Sequence, residues 1–243
     1  CENTGKTGDM RIAILSDIHA NLQAWRAVRT DLRSRGVDAV VCLGDVVGYG
    51  PSPGEVLEGV RAVTDNFVLG NHDAVAAGFL DWQDFDPITA RLMHHAMEGL
   101  GNRACRSFRK VPLVLQNTIF SCSHGSPAEP ALFMDVQNEQ EAHTAWESTR
   151  YTVQFIGHTH LPAVFVLTPG GECESFRPGE DPVRVDPDCR YLINCGSVGM
   201  TREEAHHACY AIFDTDARSV TWRRLDYDRD AYAEAIRSTY HDP

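Results

Sequence analysis

The chain has 243 residues, of which 43% are hydrophobic and 23% charged, ordinary figures that exclude a disordered, collagen-like or coiled-coil chain. Asp plus Glu number 34 against 22 Lys plus Arg, a formal charge of −12. No basic stripe stands out, which excludes stable nucleic-acid binding. A phosphate-bearing substrate would then need positive charge from another source, such as a metal.

The first nine residues, CENTGKTGD, hold no hydrophobic stretch and show no secretory signal. They read as a disordered extension or cloning remnant, followed by a single domain over 10–243. The eight cysteines form no C-x-x-C pair, and four of them (Cys42, Cys122, Cys195, Cys209) lie in or beside apolar runs. Free thiols in a reducing, cytoplasmic compartment follow. No apolar run reaches the roughly 18 residues of a membrane helix, so no membrane partner is expected.

Short apolar runs between turn residues predict strands at 11–16, 39–43, 66–69, 118–123, 152–156, 163–167, 190–194, 209–213 and 219–225. Helices are predicted at about 21–35, 53–63, 87–100, 137–148 and 229–240, with Asp86-Pro87 and Pro53 as helix-start signals. Up to residue 70 the order is strand, helix, strand, helix, strand, which implies parallel βαβ units. Between 163 and 225 the strands have short connections, which implies antiparallel pairing. The segment 169–188, rich in Pro, Gly, Asp and Glu, reads as an exposed loop.

Five predicted strands end in residue types that bind metals. The first leads into Asp17-Ile18-His19, the second into Gly44-Asp45, and the third into Gly70-Asn71-His72-Asp73. Two more lead into His124-Gly125 and Gly157-His158-Thr159-His160. Each alone is weak, since Gly, Asn and Asp also make turns. Together they say more, because parallel strands end on one edge and ligand sites gather there. Four His, two Asp and one Asn exceed the needs of one tetrahedral ion and suit two ions bridged by a carboxylate. The other histidines (His94, His95, His143, His206, His207, His241) follow no strand end and read as solvated or packed.

In that order and after strands, D-I-H, G-D, G-N-H-D, H-G and G-H-T-H resemble the calcineurin-like metallophosphoesterases over residues 10–225. The stretches G-D-V-V-G-Y-G-P (44–51) and N-C-G-S-V-G (194–199) are similar to its small bacterial and archaeal branch, which includes phosphodiesterases and diadenosine tetraphosphatase relatives. The resemblance implies an α/β fold, a four-layer α/β/β/α sandwich with two mixed sheets. It implies one metal on Asp17, His19, Asp45 and His160, and a second on Asp45, Asn71, His124 and His158, with Asp45 bridging. It places His72 beside the metals without binding them, its ring held by Asp73.

The expected cofactors are two divalent ions, manganese first, with Fe, Zn, Ni, Co or Mg as alternatives. The expected chemistry is attack on phosphorus by a metal-bridging hydroxide, with His72 stabilising or protonating the leaving group. The expected substrates are small phosphodiesters or nucleotide polyphosphates. Alternatives are a phosphomonoesterase, including a protein phosphatase, and a catalytically silent scaffold. Five residues are candidate substrate contacts, each with a plainer alternative. Asn21 could equally be a first-turn helix residue and Tyr49 a packed loop aromatic. Asn194 and Ser197 could belong to a tight turn, and Arg202 to the open surface. The segment between Asp73 and Thr118 reads as mostly one helix, with no large lid.

Overall fold

The first strand, β1 (Arg11–Leu15), reads RIAIL and is buried on both faces apart from Arg11, as a central strand requires. It pairs in parallel with β2 (Ala39–Cys42). The crossover is α1 (Leu22–Ser34), which buries Ala24, Trp25, Val28 and Leu32 along one face. Next comes α2 (Pro53–Arg61), with proline in its first turn as predicted. The computed structural model describes residues 10–240. The expected extension at 1–9 and His241 lie outside the described residues.

Residues 66–69 were expected to form a strand. They make one parallel bridge, Phe67 to Cys42, before the chain turns at Gly70 into α3 (Asn71–Ala77). This seven-residue helix has no signal in the apolar pattern, because nearly all of it is buried. A longer helix, α4 (Pro87–Ser107), continues past the expected end at 100 through a kink at Gly101, whose φ is 69°. The segment from Asp73 to Thr118 therefore holds α3, a two-part α4 and two short 3₁₀ turns rather than mostly one helix.

The remaining elements are β3 (Val114–Gln116), β4 (Ser121–Ser123), α5 (Glu139–Glu147), β5 (Val153–Ile156) and β6 (Ala163–Leu167). They are followed by β7 (Cys173–Phe176), β8 (Val183–Arg184), β9 (Arg190–Asn194), β10 (Ala208–Asp214), β11 (Ser219–Leu225) and α6 (Arg229–Tyr240). The expected strand at 118–123 starts late because Asn117 Oδ1 accepts from the Ile119 and Phe120 amides, making a turn. The predicted loop 169–188 contains β7 and β8. Both are short, mostly exposed edge strands whose polar composition hides them.

Two mixed sheets result. One runs β2-β1-β10-β11-β8, the other β3-β4-β5-β9-β6-β7. The antiparallel pairing expected after 163 holds, except that β9 also pairs in parallel with β5.

Alternation along the strands builds the layers. Ala13 and Leu15 face Trp25, Val28, Val56 and Ala74 on the helical side. Ile12 and Ile14 face the other way, into the layer between the sheets, with Phe155, Ile193, Phe213 and Trp222. On the outer face of the second sheet, Leu192, Ile156 and Phe165 pack on Ala142, Ala145 and Trp146 of α5. Each such large side chain contributes about 1.5–3 kcal/mol. The order of layers is helices, sheet, sheet, helix, the α/β/β/α arrangement expected. Among the described residues all seven cysteines are free, and no helix is long and apolar enough to cross a membrane.

Candidate metal centre

The chain leaves each parallel strand through a turn that bends backward. Asp17, His19, Asp45, His158 and His160 all have left-handed backbones, with φ of 53°, 48°, 51°, 68° and 61°. Such conformations cost non-glycine residues about 1–3 kcal/mol each and cluster at functional sites. Hydrogen bonds between the turns hold them. Asp17 N–H donates to Gly44 O (3.1 Å), His19 N–H to Asp45 O (2.9 Å) and Gly157 N–H to His124 O (2.8 Å). Two glycines are required by close approach. A Cβ on Gly70 would collide with Asp45 Oδ1, and one on Gly157 with Ser16 Oγ.

These turns bring the predicted ligands from separate strand ends to one place. On one side His160 Nε2 lies 3.0 Å from His19 Nε2 and 3.3 Å from Asp17 Oδ1. On the other, His124 Nε2 lies 3.1 Å from both Asn71 Oδ1 and His158 Nδ1. Asp45 Oδ2 stands between, 3.3 Å from His124 Nε2 and 3.7 Å from His19 Nε2. Asp17–His19–His160 and Asp45–His124–His158 are each close enough to hold one ion.

The donor set fits divalent cations on its own chemistry. His124 Nδ1 lies 2.7 Å from Leu43 O and His19 Nδ1 3.2 Å from Val47 O. A carbonyl accepts, so those nitrogens carry protons; His19 Nε2 turns a lone pair to the centre, and His124 Nε2 does so once its own proton is displaced. Asp17 Oδ1 and Asp45 Oδ2 are buried with no hydrogen-bond partner. Acceptors thus face acceptors away from water, an arrangement that is costly until positive charge enters. Imidazole and carboxylate oxygen suit Zn, Fe, Mn, Ni or Co.

The electrostatics agree. Burial raises the Asp17 and Asp45 carboxyls, but the surrounding histidines outweigh it and hold both well below the usual range. Burial lowers His124, yet Asp45 and Asp17 lift it to about 10, so its Nε2 holds a proton that an entering cation displaces. Burial lowers His19, His72 and His158, so these rings are neutral and able to ligate.

Beside the ligands, His72 Nε2 is 3.9 Å from Asp45 Oδ2 and its ring centroid 4.8 Å from that of His19. His19, Asp45 and His72 also form a group of metal-site dimensions. The expected Asp73–His72 ring bond is corrected. Asp73 Oδ1 accepts from the Val46 and Val47 amides (3.1 and 3.3 Å), and Oδ2 from Gly70 N–H (3.4 Å). The carboxylate ties the Asp45 turn to the Asn71 turn. The His72 ring rests instead on Met93, with Nδ1 2.8 Å from the thioether sulfur.

Three candidate substrate contacts prove structural. Asn21 is fully buried and caps α1, with Oδ1 accepting from Ala24 N–H while Nδ2 donates to Gly199 O. Asn194 Nδ2 donates to Gly157 O (2.6 Å) and Thr159 Oγ1 (3.0 Å), bracing the G-H-T-H turn. Ser197 Oγ donates to Asp17 O and accepts from Met200 N–H. Their polar groups are consumed before a substrate arrives.

Tyr49 does reach the centre, with its ring 4.7 Å from those of His19 and His72. Arg202 is exposed on the same side, near enough for its charge to act on the Tyr49 hydroxyl.

The sequence reading missed three neighbours. Met93 supports His72, Phe85 lies 5.5 Å from the His72 ring, and Asp135 Oδ1 is 3.4 Å from His158 Nε2. None carries a motif, since each arrives by tertiary packing of a helix or loop.

Two back-to-back mixed sheets with a buried His/Asp/Asn cluster over the shared strand ends define a metallophosphoesterase. The model of the calcineurin-like phosphoesterase superfamily domain matches residues 10–218, and the chain belongs to that family. It is 31% identical over 236 residues to an uncharacterized protein of Methanocaldococcus jannaschii, covering 93% of this chain and 92% of that one. It is also similar to the crystal structure of a metallophosphoesterase from Sphaerobacter thermophilus. That match has a TM-score of 0.82 and 31% identity, over 94% of each chain. A hypothetical protein from Pyrococcus horikoshii shares the fold, with a TM-score of 0.73 and 20% identity over 95% of this chain and 98% of that one.

Proposed function

We propose that this chain is a cytoplasmic, dinuclear metal-dependent phosphoesterase that hydrolyses phosphodiesters or nucleotide polyphosphates. The observation that carries the reading is the pair of buried lone-pair clusters with Asp45 Oδ2 facing both. Asp17, His19, Asp45 and His160 would hold one ion, and Asp45, Asn71, His124 and His158 the other. When bound, a pair of divalent ions supplies positive charge for the phosphate and an activated water at neutral pH.

The chain's own groups supply the rest. His72 is neutral and buried, with Met93 at Nδ1 and Nε2 toward the centre. Sulfur only accepts, so the neutral ring carries its proton on Nδ1, and Nε2 donates to the charge that develops on the leaving oxygen once it is protonated. Asp73 fixes the relation between the Asp45 and Asn71 turns through three backbone amides. Tyr49 and Phe85 set aromatic faces around His72, and Arg202 adds an exposed cation. Such a rim suits a second ester group or a base better than a bare monoester. The complete ligand set argues against a silent scaffold.

Steady-state rates on bis-nitrophenyl phosphate, a nucleotide diester and nitrophenyl phosphate, with manganese and with chelator, test the proposal. Faster cleavage of the diesters, abolished by chelation, is expected. A clear monoester preference would make the protein a phosphomonoesterase. No turnover of any substrate with Mn, Zn or Fe would leave the scaffold reading.

A further inference from the structure

Beyond the metal centre, the longest unneutralised run of positive charge lies at 103–110, where Arg103, Arg106, Arg109 and Lys110 fall within eight residues of a chain of charge −12. All four are exposed, and none has a carboxylate partner among the described residues. The expectation of no basic cluster is corrected here. Spacing of three and four residues puts these cations on one side of the second half of α4 and the turn after it.

Two of them, Arg106 and Arg109, border a cleft of about 690 Å³ between α3 and α4, a volume within the range of small-molecule sites. Arg109 is already positioned, because its Nε donates to Ala77 O (2.8 Å) at the end of α3. Its terminal nitrogens are left for a ligand in the fork geometry that suits phosphate. Asn102 adds an amide, while Trp82 and Phe79 add aromatic surface. Asp81 also borders the cleft, with Oδ1 turned to the Gln83 amide (3.0 Å), so the lining keeps a net positive charge. Trp82 is the one partly exposed tryptophan, held edge-on to His94 at 5.2 Å, whereas Trp25, Trp146 and Trp222 are buried.

We propose that this cleft is a second ligand site that takes a nucleoside diphosphate, with its phosphates on Arg106 and Arg109 and its base on Trp82. The site is separate from the metal centre. It lies at the C-terminal end of α3, whose N-terminal residues are Asn71 and His72, about 10 Å away along the helix. Occupancy there therefore bears on the same rigid element that carries a metal ligand.

The test is tryptophan fluorescence of the metal-loaded full chain titrated with α,β-methylene-ADP, whose bridging carbon resists hydrolysis. A saturable quench is expected in the metal-loaded wild type and equally in Asp45→Asn, which lacks its full complement of metal. The signal should vanish in Trp82→Phe, and the affinity should fall about tenfold or more in Arg106→Gln, as for loss of one charge-assisted phosphate contact. Inorganic phosphate should bind at least about tenfold more weakly than the nucleotide. Unchanged melting of Arg106→Gln confirms that its fold is intact. No saturable quench, an undiminished affinity in Arg106→Gln, or loss of binding in Asp45→Asn would overturn the site. Equal affinity for inorganic phosphate would overturn the nucleotide.

Discussion

The Nε2 atoms of His19 and His160 face each other at 3.0 Å although they come from opposite sheets, one following β1 and the other β5. Val47 O fixes the His19 proton on Nδ1, so the 3.0 Å gap holds at least one bare lone pair. Asp17 Oδ1, 3.3 Å from His160 Nε2, has no hydrogen-bond partner of its own. The sheets are thus joined above their strand ends by donors that share a need for a cation.

Asp45→Asn tests whether that need is shared by two ions. Asp45 Oδ2 faces both His124 and His19, and the substitution removes the charge while keeping the shape. The bound metal, measured by elemental analysis, is expected to fall from two ions per chain to fewer than one. Loss of a single ion with the other retained would show that Asp45 does not bridge.

His72→Asn should separate catalysis from metal binding. His72 Nε2 stands 3.9 Å from Asp45 Oδ2, and Met93 rather than a carboxylate supports the ring. Turnover of a diester with a poor leaving group is expected to fall roughly 100- to 10,000-fold, with metal content near normal. An activated nitrophenol ester should lose less, because that group leaves without help. A metal content that falls with turnover would make His72 a ligand.

The gathering of Asp17, His19, Asp45, Asn71, His124, His158 and His160 was legible in the sequence because each follows a strand end, and parallel strands end together. The α/β class was legible in the strand–helix order up to residue 70, the four-layer sandwich came only through the family resemblance, and the split of Ala13 and Leu15 from Ile12 and Ile14 came from the structure. Asn21, Asn194 and Ser197 misled because a polar side chain near a site looks the same whether it meets a substrate or a backbone. Only the structure shows Asn194 spent on Gly157 and Thr159. Met93, Phe85 and Asp135 were invisible because helix and loop docking, not local pattern, delivers them. The edge strands β7 and β8 were hidden by exposure, since a strand paired on one side keeps polar residues.

Asp31 is expected to be a stability site remote from catalysis. It accepts from Arg223 (2.9 Å), the Tyr210 hydroxyl (2.8 Å) and Arg35 (3.0 Å), tying α1 to β10 and β11. Burial raises its carboxyl, but these partners outweigh it and lower the folded-state value below 3.8. A lowered value means that the stabilisation is complete above the unfolded value and is lost as pH falls through the folded one. Asp31→Ala should lower stability by about 1–3 kcal/mol near neutral pH, read from denaturant melts. The gap to wild type should narrow as pH drops from about 6 to 3. A gap that is constant across that range would show that the charge contributes nothing.

Asn194→Ala decides whether the second-sheet turn serves the metal or the substrate. The side chain bridges three points of backbone and hydroxyl, donating to Gly157 O and Thr159 Oγ1 and accepting from Gly196 N–H. Gly157 and Thr159 bracket His158, and His160 follows, so releasing these bonds loosens two ligands at once. The amide is fully buried, and its removal leaves the Gly196 N–H without a partner and Gly157 O with the Thr159 N–H alone, a cost of about 1–3 kcal/mol. The expected outcome is a lower melting temperature and weaker metal retention against chelator. At saturating manganese, KM for a diester should stay within about twofold of wild type, since uniform binding is untouched. A raised KM with normal metal retention and an unchanged melt would instead place Asn194 on the substrate.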